Sequence, residues 1–134
     1  MSSVDHVGIA SKSIESSVKF WEMLGFVPKQ SHVNDDQGVK IVMLESTGCS
    51  TMIELLEPLG PDTPVGRFIS KRGEGIQQLA IKVDDIEKSI ARLVQSGVTM
   101  VDQLPSIDTE GGRIAFVHPS STGGVLVELV ERDD

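Results

Sequence analysis

Laid over itself with Val4 on Ile76, the chain repeats its own pattern. Val4-Asp5-His6-Val7-Gly8-Ile9 falls on Ile76-Gln77-Gln78-Leu79-Ala80-Ile81, and Ile14-Glu15-Ser16-Ser17-Val18 falls on Ile86-Glu87-Lys88-Ser89-Ile90 without a gap. Gly25 then meets Gly97. The second copy later gains two residues, after which Ile53-Glu54-Leu55-Leu56-Glu57 falls on Val127-Glu128-Leu129-Val130-Glu131. Identities are few, but chemical class is kept. Such self-similarity means one supersecondary unit used twice, so the fold is constrained by what a single copy can form. The modules run roughly over 3–58 and 75–132, with a linker at 59–74, inside one domain of 134 residues.

Each copy opens on an alternating segment, 4–10 or 76–83, which predicts a strand. A helix follows. Ser13 and Asp85 are the expected N-caps, because a short side-chain oxygen can take an orphan backbone N–H. Ile14, Val18 and Trp21 form one apolar stripe, and Ile86, Ile90 and Leu93 the other. Gly25 and Gly97 suit the left-handed conformation that ends a helix. Three strands are then expected in each copy, near 26–32, 38–45 and 50–57, and near 98–102, 113–118 and 124–131, separated by Gly-, Asn- and Asp-rich turns. The module is β-α-β-β-β, and two of them make a sheet-rich α+β fold. In the linker, Thr63 before Pro64 starts a short helix that stops near Gly73. Arg67, Lys71 and Arg72 give that helix a basic face, which is either solvated surface or a landing place for a phosphate-bearing ligand.

Charge and composition narrow the function. Twelve Lys and Arg against 20 Asp and Glu leave a net charge of −8 with no basic block, a poor profile for binding nucleic acid. A local cluster can still hold a small anion. No apolar run approaches the ~18 residues of a membrane span, and the N-terminus lacks a basic region followed by an apolar one. One cysteine, Cys49, forbids an internal disulfide and fits a reducing cytoplasm. With four Phe, one Trp and no Tyr, aromatic stacking platforms are not expected.

Strand side chains alternate faces. Val7 and Ile9 oppose His6, Leu79 and Ile81 oppose Gln78, and Glu54 and Glu128 oppose their apolar neighbours. The apolar faces must pack on the helices. The other face then carries His6, Glu54, Gln78 and Glu128, repeat-equivalent in two pairs, on what a pseudo-twofold would make one concave sheet. Two facing carboxylates need a compensating charge or a proton. A divalent cation supplies that charge, and His, Gln and Glu can all ligate it. Any one of the four could be a polar residue on a wet sheet face. The recurrence of all four by repeat symmetry favours the metal. Glu57 and Glu131 also repeat, but alternation puts them on the opposite face, where they are expected to be solvated. His32 and His118 read as turn or surface residues, and Cys49 as incidental.

These modules and ligands resemble the vicinal oxygen chelate superfamily of glyoxalase I, extradiol dioxygenases and antibiotic-resistance proteins, and within it the methylmalonyl-CoA epimerases. The similarity runs through Val4-Asp5-His6-Val7-Gly8-Ile9-Ala10, Asp36-Gln37-Gly38-Val39, Ile53-Glu54-Leu55-Leu56-Glu57-Pro58-Leu59, 68–76, Val83-Asp84-Asp85-Ile86, Phe116-Val117-His118-Pro119 and Gly123 to Leu129. The resemblance implies a glyoxalase-like fold and a divalent metal (cobalt, zinc, manganese or nickel) at His6, Glu54, Gln78 and Glu128. It implies a 1,1-proton transfer on an acyl-CoA, between a carboxylate and a thioester, with Glu54 and Glu128 as the functional carboxylates. Open sheet edges and the same resemblance point to a homodimer, which light scattering at high concentration would test. The chain departs from the epimerases in three places. Gln77-Gln78 stands where they have His-His. The strand Lys40-Ile41-Val42-Met43 has no acid, and Ser120 stands where many have Lys. The alternatives are a glyoxalase I-like isomerase or lyase, and a non-catalytic small-ligand-binding member.

Overall fold

The computed structural model describes residues 2–108 and 111–133 of an α+β protein. Its strands are β1 (Ser3–Ala10), β2 (Val27–Pro28), β3 (His32–Asn34), β4 (Val39–Ser46), β5 (Cys49–Pro58), β6 (Gly75–Lys82), β7 (Ser106–Ile107), β8 (Arg113–Val117) and β9 (Leu126–Glu131). Its helices are α1 (Ile14–Met23), α2 (Pro64–Arg72) and α3 (Ile86–Gln95). None of them is long and apolar enough to cross a membrane. The chain forms two compact units, one of residues 6–77 and one that joins residues 1–5 to 78–134.

In the unit of 6–77 the strand order is β2-β4-β5-β1, with β3 also on β4. Ser13 caps α1 by accepting from the Ser16 amide, and Thr63 caps α2 by accepting from that of Gly66. The sheet is apolar on both faces, each for its own helix. Val42, Leu44 and Leu55 pack with Ile14, Val18 and Trp21 of α1. Val39, Leu56 and Ala10 pack with Val65, Phe68 and Ile69 of α2.

The other unit has the order β6-β9-β8-β7. Asp85 caps α3 through the Lys88 amide, and Ile86 and Ile90 pack on Ala115, Val117 and Leu129. The repeat is reproduced pair by pair. Gly8 lies opposite Glu54 and Ala80 opposite Glu128, both between parallel strands. Gly25 and Gly97, at φ 94° and 90°, close the two equivalent helices. Residues 1–5 belong with this unit because Arg132 grips Asp5. Its Nε and Nη2 each donate over 3.1 Å to the Asp5 carboxylate, and Nη1 lies 3.4 Å from Asp108.

The structure corrects three expectations. The strand near 98–102 is reduced to one bridge, Met100 to Val117. The Phe116 amide donates to the Asp102 carboxylate at 3.0 Å, which ends the ladder there, and pairing resumes only at β7. In the first copy the strand near 26–32 is split into β2 and β3; the Lys29 amide still donates to the Met43 carbonyl at 2.8 Å, after which pairing with β4 resumes only at His32. Glu57 and Glu131 are not merely solvated. Glu57 accepts from the Ile14 amide at 2.8 Å and Glu131 from the Ile86 amide at 2.9 Å. Each carboxylate meets an orphan donor at the positive end of a helix, where negative charge is favoured.

Candidate functional site

His6, Glu54, Gln78 and Glu128 are 2%, 9%, 8% and 4% exposed, which disposes of the wet-surface reading. Side chains of these types are seldom buried without a duty. The two other buried polar residues among the described residues have structural duties: Asp5 holds Arg132, and Ser11 hydrogen-bonds to Ser13 and Ser17.

In the unit of 6–77, β1 and β5 bring His6 and Glu54 together, with Nε2 3.5 Å from Oε1. That is longer than a hydrogen bond. Glu54 has Gly8, which carries no side chain, as its partner on β1 and the apolar Met43 as its partner on β4. Val39 and Ile41 continue the Met43 face, so β4 contributes no carboxylate there. In the second unit, Gln78 Nε2 donates to Glu128 Oε1 at 3.0 Å, and Glu128 is flanked by Ala80 and Phe116. The strand path that places each carboxylate is therefore the same in both copies.

The donor chemistry fits a divalent cation. Two ligands that each sit about 2.0–2.1 Å from one metal are about 2.8–3.4 Å apart, from octahedral to tetrahedral angles. The His6–Glu54 separation is close to this range, whereas the Gln78–Glu128 contact is a hydrogen bond from the amide nitrogen, which is not the ligating atom of a glutamine. Imidazole, carboxylate and amide groups are all competent ligands. Among the described residues, no three His, Cys, Asp or Glu side chains, His6, Glu54 and Glu128 included, form a metal-holding group. Gln77, on the alternate face of β6, has a buried Oε1 that no hydrogen bond reaches.

The comparisons with known proteins agree with this architecture. Residues 5–116 match the Glyoxalase/Bleomycin resistance protein/Dioxygenase superfamily. The chain belongs to that superfamily. Within it, the chain is 34% identical to the uncharacterized protein YqjC of Bacillus subtilis, over 98% of this chain and 93% of that one. The crystal structure of methylmalonyl-CoA epimerase from Mycobacterium tuberculosis superposes with a TM-score of 0.91 at 38% identity, covering 98% of this chain and 88% of that one. A variant of the Streptomyces coelicolor methylmalonyl-CoA epimerase, in complex with 2-nitronate-propionyl-CoA, gives 0.88 at 36%, covering 96% and 93%.

Further contacts of repeated or turn residues are structural. His118 accepts from the Ser120 amide at its Nδ1 and so caps the short turn Pro119–Ser121. Glu57 and Glu131 fasten helices to strands; their recurrence three residues after Glu54 and Glu128 was the signal that could have marked them.

Gln78 is the most informative position to alter. An amide oxygen is neutral at every pH, whereas an imidazole must be unprotonated to bind metal. Gln78→His is expected to tighten cobalt or zinc binding about tenfold or more, following the preference of these ions for imidazole. Gln77→His should leave it unchanged. Cobalt titration followed in the visible spectrum reads both variants, and equal responses would mean that the wrong face of β6 has been chosen.

Proposed function

We propose that the protein is a metal-dependent epimerase of a carboxylated acyl-CoA, methylmalonyl-CoA being the preferred substrate. The observation that carries this reading is the buried His6–Glu54 and Gln78–Glu128 pairs, on a chain similar from end to end to proteins named methylmalonyl-CoA epimerase. His6, Glu54, Gln78 and Glu128 would hold the cation. When bound, a divalent cation would attract the substrate's carboxylate and thioester oxygens and offset the negative charge that develops on the thioester oxygen.

The rest is the work of the chain. Epimerisation requires one base to take the proton from the carbon between carboxylate and thioester, and an acid to return it on the opposite face. On the floor around Glu54 the alternatives are Met43, Ile41 and Val39, which carry no proton. The proton therefore falls to the carboxylate of Glu54 or Glu128, and either can act when not ligating. The strand partners of the two carboxylates, Gly8 and Ala80, are small.

The test is exchange in deuterated water. With a divalent metal supplied, the C2 proton of methylmalonyl-CoA is expected to be replaced at an enzymatic rate, read by NMR. If no exchange above background occurs with cobalt, zinc, manganese or nickel, the epimerase reading fails. The protein would then be a glyoxalase I-like enzyme or a non-catalytic binder, as the Gln78 ligand and the acid-free β4 would allow.

A further inference from the structure

Inverting a carbon takes one proton-transfer group on each of its two sides. Strand register places a second such group in the unit of 6–77. In an antiparallel pair, residues directly opposite each other project from the same face. His32 on β3 lies opposite Ile41 on β4, and Ile41 lies opposite Leu56 on β5. Ile41 and Leu56 are each two residues along from the Met43 and Glu54 pair. His32 therefore stands on the face of Glu54, one strand beyond β4. Burial agrees, since His32 and Asn34 are half-buried while Val33 between them is 56% exposed.

Little else on this face can carry a proton. Besides His6 and Glu54, the face formed by 6–10, 39–43 and 52–56 presents only Gly, Ala, Val, Ile, Leu and Met. Glu45 follows Met43 in the same alternation, but it is exposed and falls where the register of β4 with β5 shifts between Leu44 and Ser46. Such a bulge re-aims the side chains it contains. The helix α2, which covers the Ala10, Val39 and Leu56 end of the face, has no acid.

The spacing suits the chemistry. With strands about 4.8 Å apart and about 3.3 Å per residue, the His32 and Glu54 backbones are about 12 Å apart on a flat sheet. Two groups that each approach one carbon to about 3–3.5 Å are about 6–7 Å from each other. Each side chain then has about 3 Å to cover, within the length of either.

We propose that His32 is the second proton-transfer group, acting on the opposite side of the substrate carbon from Glu54. This rests on the epimerase reading and names the group that inverts the centre. In one direction the Glu54 carboxylate, when not ligating, takes the proton, and the C–H electron pair passes to the thioester oxygen as an enolate. The His32 imidazolium then gives a proton to the other side, and the pair re-forms a C–H bond. In the other direction neutral His32 takes the proton and the Glu54 carboxyl returns one. Imidazole serves as both acid and base near neutral pH, and exchange with water resets both groups.

The test follows the two enantiomers of methylmalonyl-CoA separately in deuterated water, by NMR, with the divalent metal that supports wild-type exchange. In His32→Gln, the enantiomer whose C2 proton faces Glu54 should still take up deuterium at close to the wild-type rate. Uptake by the other enantiomer, and interconversion of the two, should fall by about 100-fold or more. A residue that only supports the fold would lower both alike. His32→Ala should show the same asymmetry, and added imidazole should restore part of the lost uptake, which a packing defect would not allow. Glu45→Gln should leave both enantiomers unchanged. Equal uptake by both enantiomers in His32→Gln, an equal loss in both, or the asymmetry appearing in Glu45→Gln instead would each overturn the inference while the epimerase reading stands. No exchange in wild type with cobalt, zinc, manganese or nickel would sink both.

Discussion

Arg132→Met is expected to destabilise the protein by about 3–5 kcal/mol, the usual cost of leaving a buried charge without its partner. The Asp5 side chain is 7% exposed and that of Arg132 17%. Arg132 binds both oxygens of Asp5 and also reaches Asp108. Its removal takes the cation away from two carboxylates and weakens the tie between Asp5 and the strand end at β9. Urea denaturation followed by circular dichroism should show the midpoint falling with little change in slope. Asp5→Asn combined with Arg132→Met should recover part of the loss, because the buried charge that had faced Arg132 goes with it. An unchanged midpoint in the single variant would show that the ion network contributes nothing to stability. In the repeat, Gln77 and Pro58 occupy the places of Asp5 and Arg132, so the first copy has no equivalent clasp.

Glu128→Gln is expected to do the reverse. It retains shape at a site 4% exposed and removes a charge whose burial is costly without a cation. Metal-free stability should hold or rise, as is common where a functional site is relieved of strain. Metal affinity should fall by about 100-fold or more, since even the outer partners of ligands are worth roughly 10–100-fold, and exchange at C2 should fall at least as far. Calorimetric metal titration, thermal melting without metal and the deuterium assay separate the two effects. A variant that melts lower but binds metal and turns over like wild type would make Glu128 a structural residue.

Much of this was legible in the chain because it depends on neighbours in sequence. Ser13, Thr63 and Asp85 cap helices through amides three residues on, Gly25 and Gly97 close helices by local conformation, and strand alternation put Glu54 and Glu128 opposite Leu55 and Leu129. The repeat multiplied that local information, because a pattern seen twice is seldom accident. His6, Glu54, Gln78 and Glu128 were singled out on these grounds, and all four are buried.

What required the tertiary structure is contact between residues far apart in the chain. Glu57 and Glu131 looked solvated because alternation predicts a face, not what is packed against it. Only the docking of a helix start onto a strand end brings the Ile14 and Ile86 amides to them. The expected strand at 98–102 depended on whether the Phe116 amide would find a backbone carbonyl or the side chain of Asp102, a competition that periodicity cannot decide. The grip of Arg132 on Asp5 spans nearly the whole chain. Alternation and capping are set by bond geometry within a few residues, so sequence determines them. Ion pairs, helix docking and strand termination are set by which distant groups the fold brings within about 3 Å, and only the folded chain decides that.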